Sequence, residues 1–234
     1  LISCAPLTQP GIREGGFEEG GGSIPPPPPS ALETYLEFRE GATTDRDGVF
    51  RPWITVLPFY DDSGFREGVW DIENEMPRMF TQEMHGSRAW HMVPYEAVEE
   101  LKLKSEQLWH EEMLTEVSKV LMADQVLIGT LLDYNMERLH VGDPLVGGYK
   151  SFKGTAEIEV RLVRADQETV GTFHAQKEVT DRGVGLDLLG RPRDQDYQFV
   201  NLNRMAYGSE DFRATAIGSA TAQIMDVLIQ QMSQ

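Results

Sequence analysis

The chain has 234 residues, of which 21 are Lys or Arg and 38 are Asp or Glu, so its formal net charge at pH 7 is −17. This balance argues against a nucleic-acid or anionic-lipid partner, because phosphates and anionic headgroups favour clustered Lys and Arg. A single cysteine forms no internal disulfide, and no apolar run reaches the roughly 18 residues that span a bilayer, so membrane attachment would need a lipid or a partner protein.

The single cysteine, Cys4, follows Leu1, Ile2 and Ser3. An apolar residue three positions earlier and a small residue directly before the cysteine form the cleavage pattern of a bacterial lipoprotein signal peptide. We therefore expect Cys4 to carry a diacylglycerol, with the basic and apolar parts of the signal upstream of Leu1. The neutral Ala5 resembles the signal for export to the outer membrane of a Gram-negative cell. The alternative is a stray cysteine, and a processed lipoprotein would lack residues 1–3.

Residues 1–51 have the composition of a tether. Glycine and proline runs support neither a helix nor a sheet, and few apolar residues are available for burial. Five successive prolines favour an extended polyproline II rod of about 3.1 Å per residue. Within this part, the stretch from Tyr35 to Phe38 predicts either a short helix or a docking strand. The runs are Gly15-Gly16, Gly20-Gly21-Gly22 and Pro25 to Pro29.

A single α/β domain is predicted over residues 52–234. Its first strand is the β-branched run from Ile54 to Phe59, followed by a turn from Asp61 to Gly64. A helix with Met76, Met79, Phe80 and Met84 on one face comes next and ends at Gly86. Asp71 or Asn74 can cap this helix, and Asn74 is favoured because it places Pro77 in the first turn.

Four further strands and a final helix are predicted for the rest of the domain. Trp90 to Val93 is a short strand, and a broken helical stretch covers 95–123. The apolar segment 125–134 is a central strand, in which Gly129 indicates a close approach by the C-terminal helix. Residues 152–163 and 169–179 form an antiparallel hairpin, 180–209 form a long loop, and Asp211 caps the last helix. The order β-α-β-α-α-β-β-β-α predicts a mixed sheet with helices packed on it.

This pattern resembles a family of bacterial envelope modules that includes the curli-secretion lipoprotein CsgG, the penicillin-binding-protein activator LpoB and the N-terminal domain of TolB. The resemblance covers about residues 52–179 and 211–232. It implies an α/β sandwich like an anticodon-binding domain, and a function in binding other proteins. The segments that carry it are Val56-Leu57-Pro58-Phe59 with the Asp61–Gly64 turn, Ala123 to Thr130, the hairpin Gly154 to Val170 around Arg161-Leu162-Val163, and the small-residue C-terminal helix.

Motifs that bear chemistry have simpler explanations in this sequence. The segment 142–151 resembles a phosphate loop, but Gly148 stands where the lysine belongs and Lys150 comes two places late, so an inter-strand loop is favoured. The pair Asp61-Asp62 fits an Asp-rich turn better than a cation site, which needs six or more oxygens. Ser87 lacks the second glycine of a nucleophile elbow. The methionine stripe indicates core rather than a binding groove. The five histidines show no zinc-ligand spacing: His85, His91, His110, His140 and His174.

We therefore expect a non-enzymatic lipoprotein on the periplasmic face of the outer membrane, anchored through Cys4 and without a cofactor or metal. Its domain would bind an envelope protein as an accessory, a scaffold or an LpoB-like activator of cell-wall synthesis. A CsgG-like homo-oligomer or ring is an alternative, ranked last as a pore because 136–151 and 180–209 lack barrel-strand alternation. An alternative of another class is a hydrolase with its site under the 180–209 loop. The partner-binding candidates are Asp61, Asp62, Phe65, Leu188, Leu189, Arg191, Tyr197 and Phe199.

Overall fold

The protein is built around a mixed six-stranded sheet. Its structure is a computed structural model, which describes residues 28–41, 49–66, 69–87, 89–105, 110–141, 149–166, 168–181, 202 and 204–234. The strand order is β3-β1-β4-β5-β6, and β2 pairs with β4. β1 lies parallel to β3 and β4, whereas β4, β5 and β6 form an antiparallel meander. The strands are β1 (Trp53–Val56), β2 (Tyr60–Asp61), β3 (His91–Met92), β4 (Gln125–Val141), β5 (Tyr149–Arg164) and β6 (Thr169–Asp181).

Helices pack on both faces of this sheet, which confirms the predicted α/β class. One core lies between the sheet and helices α2 and α6, and a second core lies between the opposite face and helices α1, α3 and α4. All four residues of β1 are buried because both faces of that strand are covered. The helices are α1 (Ala31–Gly41), α2 (Ile72–His85), α3 (Tyr95–Glu99), α4 (Glu111–Val120), α5 (Glu210–Arg213) and α6 (Ala216–Met232).

Helix α2 begins earlier than its proline suggests, so the choice of Asn74 as its cap was wrong. The N-cap is Asp71, and Pro77 lies inside the helix. A proline there cannot donate to the carbonyl oxygen of Glu73 four residues earlier. The amide of Phe59, in the loop after β1, donates to that oxygen at 2.9 Å instead. The missing helix hydrogen bond is thereby replaced by one that fixes α2 against the sheet.

The described residues 204–234 contain two helices where one was predicted, and Asp211 is not a cap. Ser209 caps α5 by accepting a hydrogen bond from the amide of Phe212. Thr215 caps α6 by accepting one from the amide of Gly218 at 3.0 Å. Both hydroxyls satisfy helix amides that would otherwise have no partner in a buried region.

Close approaches at two glycines fix the packing of the sheet. A Cβ on Gly129 would lie 2.6 Å from the Phe59 ring, so its neighbour is this ring and not the C-terminal helix as predicted. The strand glycine that does meet that helix is Gly154 on β5, where a Cβ would lie 2.4 Å from the backbone of Ala216. The prediction of a close approach was right, but its partner was wrong.

Helix α1 belongs to the packed structure although it falls within the stretch predicted as tether. Of the two alternatives for Tyr35 to Phe38, the structure has the helix, and the Tyr35 side chain is only 4% exposed. The division of the chain at residue 51 stays a prediction. Of the long loop predicted over 180–209, residues 182–201 and 203 lie outside the described residues, and residues 180 and 181 belong to β6.

Candidate functional site

The N-terminus of α1 is held by two sets of hydrogen bonds. Ser30 and Glu33 form a capping box: the Glu33 amide donates to Ser30 Oγ at 3.1 Å, and the Ser30 amide donates to the Glu33 carboxylate at 3.0 Å. Glu100, at the end of α3, accepts from the amides of Ala31 and Leu32 at 2.7 and 3.2 Å. These contacts tie the start of α1 to α3, next to the point where the proline run ends.

The ionisation of Glu100 is coupled to this contact. Partial desolvation raises the pKa of its carboxyl, but hydrogen bonds with the Ser30 side chain and with the amides of Ala31 and Leu32 outweigh it, so the pKa lies below the ordinary value. A carboxylate at a helix N-terminus also interacts favourably with the helix dipole. Docking of α1 is therefore favoured when Glu100 is ionised.

The middle and end of α1 contact the segment that connects α4 to β4. The buried Tyr35 hydroxyl donates to the Leu121 carbonyl oxygen at 2.8 Å, and burial raises its pKa to about 12, with the nearby Arg39 acting in the opposite direction. Arg39 donates to the carbonyl oxygen of Met122 at 3.3 Å and lies 3.9 Å from Asp124. Helix α1 is thus fixed at both ends.

An open groove of about 570 Å³ lies between α1, the end of α2 and the edge strand β3. Aromatic side chains dominate its walls, and four elements distant in sequence contribute them. The lining residues are Tyr35 and Phe38 from α1, Arg51 and Trp53 at the start of β1, His85 and Ser87 at the end of α2, and Trp90, His91, Met92 and Pro94 around β3. We call this the aromatic groove.

The aromatic rings of the groove contact one another around Trp53. His91 stacks on the indole with ring centroids 4.9 Å apart and planes 23° apart. Tyr35 and Phe38 approach the same ring at 5.7 and 6.1 Å, and the Arg39 guanidinium lies 5.0 Å from its centroid. Trp53 is largely buried, but Phe38 is 64% exposed. The groove therefore has a rigid aromatic base and an exposed aromatic rim.

The charge of the groove differs from that of the chain. Its ten lining residues, all within the described part, include Arg51 and two histidines but no Asp or Glu. In a chain with 38 acidic and 21 basic residues, such a lining is suited to an apolar or neutral occupant. A smaller hollow of about 280 Å³ adjoins the groove and shares His85, Met92 and Pro94 with it.

Three of the predicted partner-binding residues lie at the end of β2 and directly after it, away from the groove lining. Asp61 Oδ1 accepts hydrogen bonds from the amide and hydroxyl of Ser63, which closes the predicted Asp-rich turn. Asp62 is exposed. Phe65 is a core residue, 6% exposed, with its ring 4.9 Å from that of Tyr134, so it offers no exposed surface. The other candidates and the anchor lie outside the described residues: Leu188, Leu189, Arg191, Tyr197, Phe199 and Cys4.

The polar side chains of the described ranges have been placed by the structure as follows. No group of three or more His, Cys, Asp or Glu residues there is arranged to hold a metal ion. His174 pairs with Glu157 at 2.9 Å on the open face of the β5–β6 hairpin. The methionine stripe of α2 is buried in the core, as predicted. The glycine-rich segment 142–148 lies outside the described residues, between the paired strands β4 and β5.

The aromatic groove was missed by sequence reasoning, although one local signal was available. Ser30-Ala31-Leu32-Glu33 is a Ser-x-x-Glu capping box directly after the last proline, and it predicts a helix start. The groove itself combines α1 with Trp53 and His91, and no sequence spacing connects these residues. Trp53 stands directly before the first predicted strand, which begins at Ile54.

The chain matches no protein-family model and no curated protein. Among solved structures it is similar to the hypothetical protein CT253 from Chlamydia trachomatis, with 15% identity, a TM-score of 0.44 and coverage of 79% of this chain and 96% of that one. It is also similar to the lipoprotein GNA1162 from Neisseria meningitidis, with 17% identity, a TM-score of 0.37 and coverage of 59% and 90%.

A further similar structure is the LpoB C-terminal domain from Salmonella enterica, with 11% identity, a TM-score of 0.33 and coverage of 63% of this chain and 95% of that one. At TM-scores this low, these likenesses do not transfer a function or a partner. The resemblance to CsgG, LpoB and TolB stays a prediction from the sequence. In the part of the chain that the structure describes, none of the helices has the length and apolar character needed to cross a bilayer.

Proposed function

We propose that this protein is a non-enzymatic envelope lipoprotein, anchored through Cys4 at the periplasmic face of the outer membrane, whose α/β domain binds a protein partner through the aromatic groove. The observation that carries the proposal is the groove itself. It presents an exposed phenylalanine over a stacked aromatic base and has no carboxylate in its lining. Clustered aromatic side chains are typical of the energetically dominant part of protein interfaces.

The geometry of the groove favours binding over catalysis. A catalytic site needs a nucleophile or an acid–base pair within hydrogen-bond reach of a common point. The two histidines of the groove lie on separate elements and not side by side as a pair. His91 stacks on the ring of Trp53, and His85 is exposed at the end of α2. The rigid base and exposed rim instead suit an anchoring contact with another chain.

Site-specific photo-crosslinking in cells tests the binding surface. A photoreactive phenylalanine analogue is placed at Phe38, on the rim, and separately at Leu132, an exposed apolar residue on β4 that does not line the groove. We expect a discrete protein adduct from position 38 and none from position 132. An adduct at position 132 alone, or adducts of equal yield at both positions, would contradict the assignment of the groove as the binding surface.

The anchor is tested separately, by Cys4→Ser in the full-length precursor. We expect metabolic labelling with a fatty-acid analogue to be lost and the protein to leave the outer-membrane fraction, or to remain as uncleaved precursor. Mature, lipid-free protein that still fractionates with the outer membrane would contradict the anchor. It would indicate that a membrane-bound partner holds the protein.

A further inference from the structure

We propose that the occupant of the aromatic groove is the proline run Pro25–Pro29 of a second copy of this chain, so that copies associate by tether-to-domain contacts. This inference rests on the proposed function, because it names the partner of the same groove.

The chemistry of the run matches that of the groove. Five successive prolines favour a polyproline II rod, about 15 Å long at 3.1 Å per residue, with no amide donor to satisfy. Grooves lined by aromatic side chains recognise such rods, because the rod is already ordered and loses little entropy on binding. Phe38, Trp53 and His91 provide this kind of lining, and the last two prolines, Pro28 and Pro29, are exposed in the structure.

The sheet edge beside the groove disfavours the main alternative, which is addition of a β-strand. In the described residues β3 has only two residues and pairs only with β1. The amide of His91 already donates to the carbonyl oxygen of Pro52, directly before β1, and the amide of Val93 donates to that of Ile54 in β1. Pro94 follows, so within β3 only Met92 directs its backbone groups away from the sheet. Strand addition depends on a row of main-chain hydrogen bonds, which this edge does not offer. Recognition through side chains is therefore favoured.

The position of the run favours the groove of another copy over that of the same copy. The run ends at Pro29, directly before the cap residue Ser30, which is held by the capping box and by the contact of α1 with Glu100. Phe38 lies eight residues further along α1, about 12 Å away at 1.5 Å per residue. A polyproline II rod does not reverse its direction within its own five residues, and the rim at Phe38 lies further along the chain. The groove of another copy can accept the full rod without such a reversal.

Electrostatics agrees with a neutral contact between two copies. Each copy has a formal charge of −17, so most of their surfaces repel each other. The proline run is uncharged, and the groove has a lining without carboxylates. Contact between the proline run of one copy and the groove lining of another therefore brings together two parts that contain no carboxylate.

A complementation experiment tests the inference on the full chain, in a Cys4→Ser background that removes lipid-driven association. One variant loses the rim (Phe38→Ala), and the other replaces all five prolines from Pro25 to Pro29 by serine. We expect wild type to self-associate in sedimentation velocity and each variant alone to associate at least about tenfold more weakly. An equimolar mixture of the two variants should form a one-to-one complex, because one supplies the rod and the other the groove.

A synthetic peptide of residues 20–30 provides the direct probe, with a control peptide that has serine in place of each proline. We expect the proline peptide to bind the serine-run variant, seen by tryptophan fluorescence, and not to bind the same variant with Phe38→Ala. Unchanged thermal transitions of both variants establish that they are folded. A monomeric wild type, or a mixture that forms no complex, would overturn the inference. If position 38 nevertheless crosslinks to a different protein in cells, the proposed function stands; if it crosslinks to nothing, both fail.

Discussion

The contact of α6 with the sheet at Gly154 allows a stability effect to be worked out from distances. A Cβ at this position would lie 2.4 Å from the carbonyl carbon of Ala216 and from the amide nitrogen of Ile217. Non-bonded carbon atoms pack at about 3.5–4.0 Å, so Gly154→Ala requires the first turn of α6 to move by about 1 Å. Both neighbours are backbone atoms of fully buried residues, which cannot move aside as a flexible side chain would.

Overpacking of this kind costs about 1–3 kcal/mol, and the lower entropy of an unfolded chain with alanine returns about 0.4–1 kcal/mol. We expect a net loss of about 1–2 kcal/mol in the free energy of unfolding. For a chain of this size, that corresponds to a fall in Tm of roughly 2–8 °C. Calorimetry or circular dichroism on the purified chain measures it.

Gly86→Ala is the matched control for this substitution. Gly86 ends α2 with φ −72°, which alanine adopts without strain, and its Cβ would be 3.5 Å from the nearest atom, the Glu83 carbonyl oxygen. We expect this variant to be as stable as wild type or up to about 1 kcal/mol more stable. If Gly154→Ala melted no lower than wild type, the docking of α6 on β5 would be refuted.

Three further substitutions test the packing around β4 and α1. Gly129→Val should lower the free energy of unfolding by about 1–3 kcal/mol, because the new side chain meets the Phe59 ring. The loss should be smaller in a Phe59→Leu background, and an equal loss in both backgrounds would contradict this contact. Glu100→Gln should lower Tm at pH 7, because the lowered pKa of Glu100 stabilises the fold while its carboxyl is ionised. The difference in Tm from wild type should shrink as the pH falls below the ordinary carboxyl pKa of about 4.3. A difference at pH 3 equal to that at pH 7 would contradict this coupling. Tyr35→Phe should cost about 1–3 kcal/mol in chemical denaturation, since the buried Leu121 carbonyl loses its donor, and a neutral result would place that carbonyl in contact with water.

The sheet could be predicted from the sequence because its signals are local. Alternation of apolar and polar residues identified β5, the apolar run identified β4, and the turn between residues 165 and 168 joined β5 to its partner β6. Each signal lies within about ten residues, the range over which hydrophobic periodicity carries information. The same holds for the methionine stripe of α2, whose spacing of three and four placed it in the core.

The errors concern contacts between elements, which periodicity does not encode. Pro77 predicts a late start of α2, which is wrong. The proline is tolerated inside the helix because the amide of Phe59, in the loop after β1, takes the place of the lost donor. Gly129 correctly indicated close packing, but a glycine does not identify which neighbour approaches. Phe65, a predicted partner-binding residue just after the Asp61–Gly64 turn, is 6% exposed because its ring packs against Tyr134 on β4. In each case the deciding atom comes from a residue more than ten positions away.

The aromatic groove could not be predicted for the same reason, and its dependence on α1 links it to the tether. Tyr35 and Phe38 form one wall, and both reach the groove only while α1 is docked through Glu100 and the Tyr35 hydroxyl. Neither the Glu100 carboxylate nor the Leu121 carbonyl lines the groove, yet each holds the wall in place. Because the proline run ends at the cap of α1, these contacts lie where the predicted tether meets the packed structure. Loss of the contacts of α1 would therefore remove one wall of the groove.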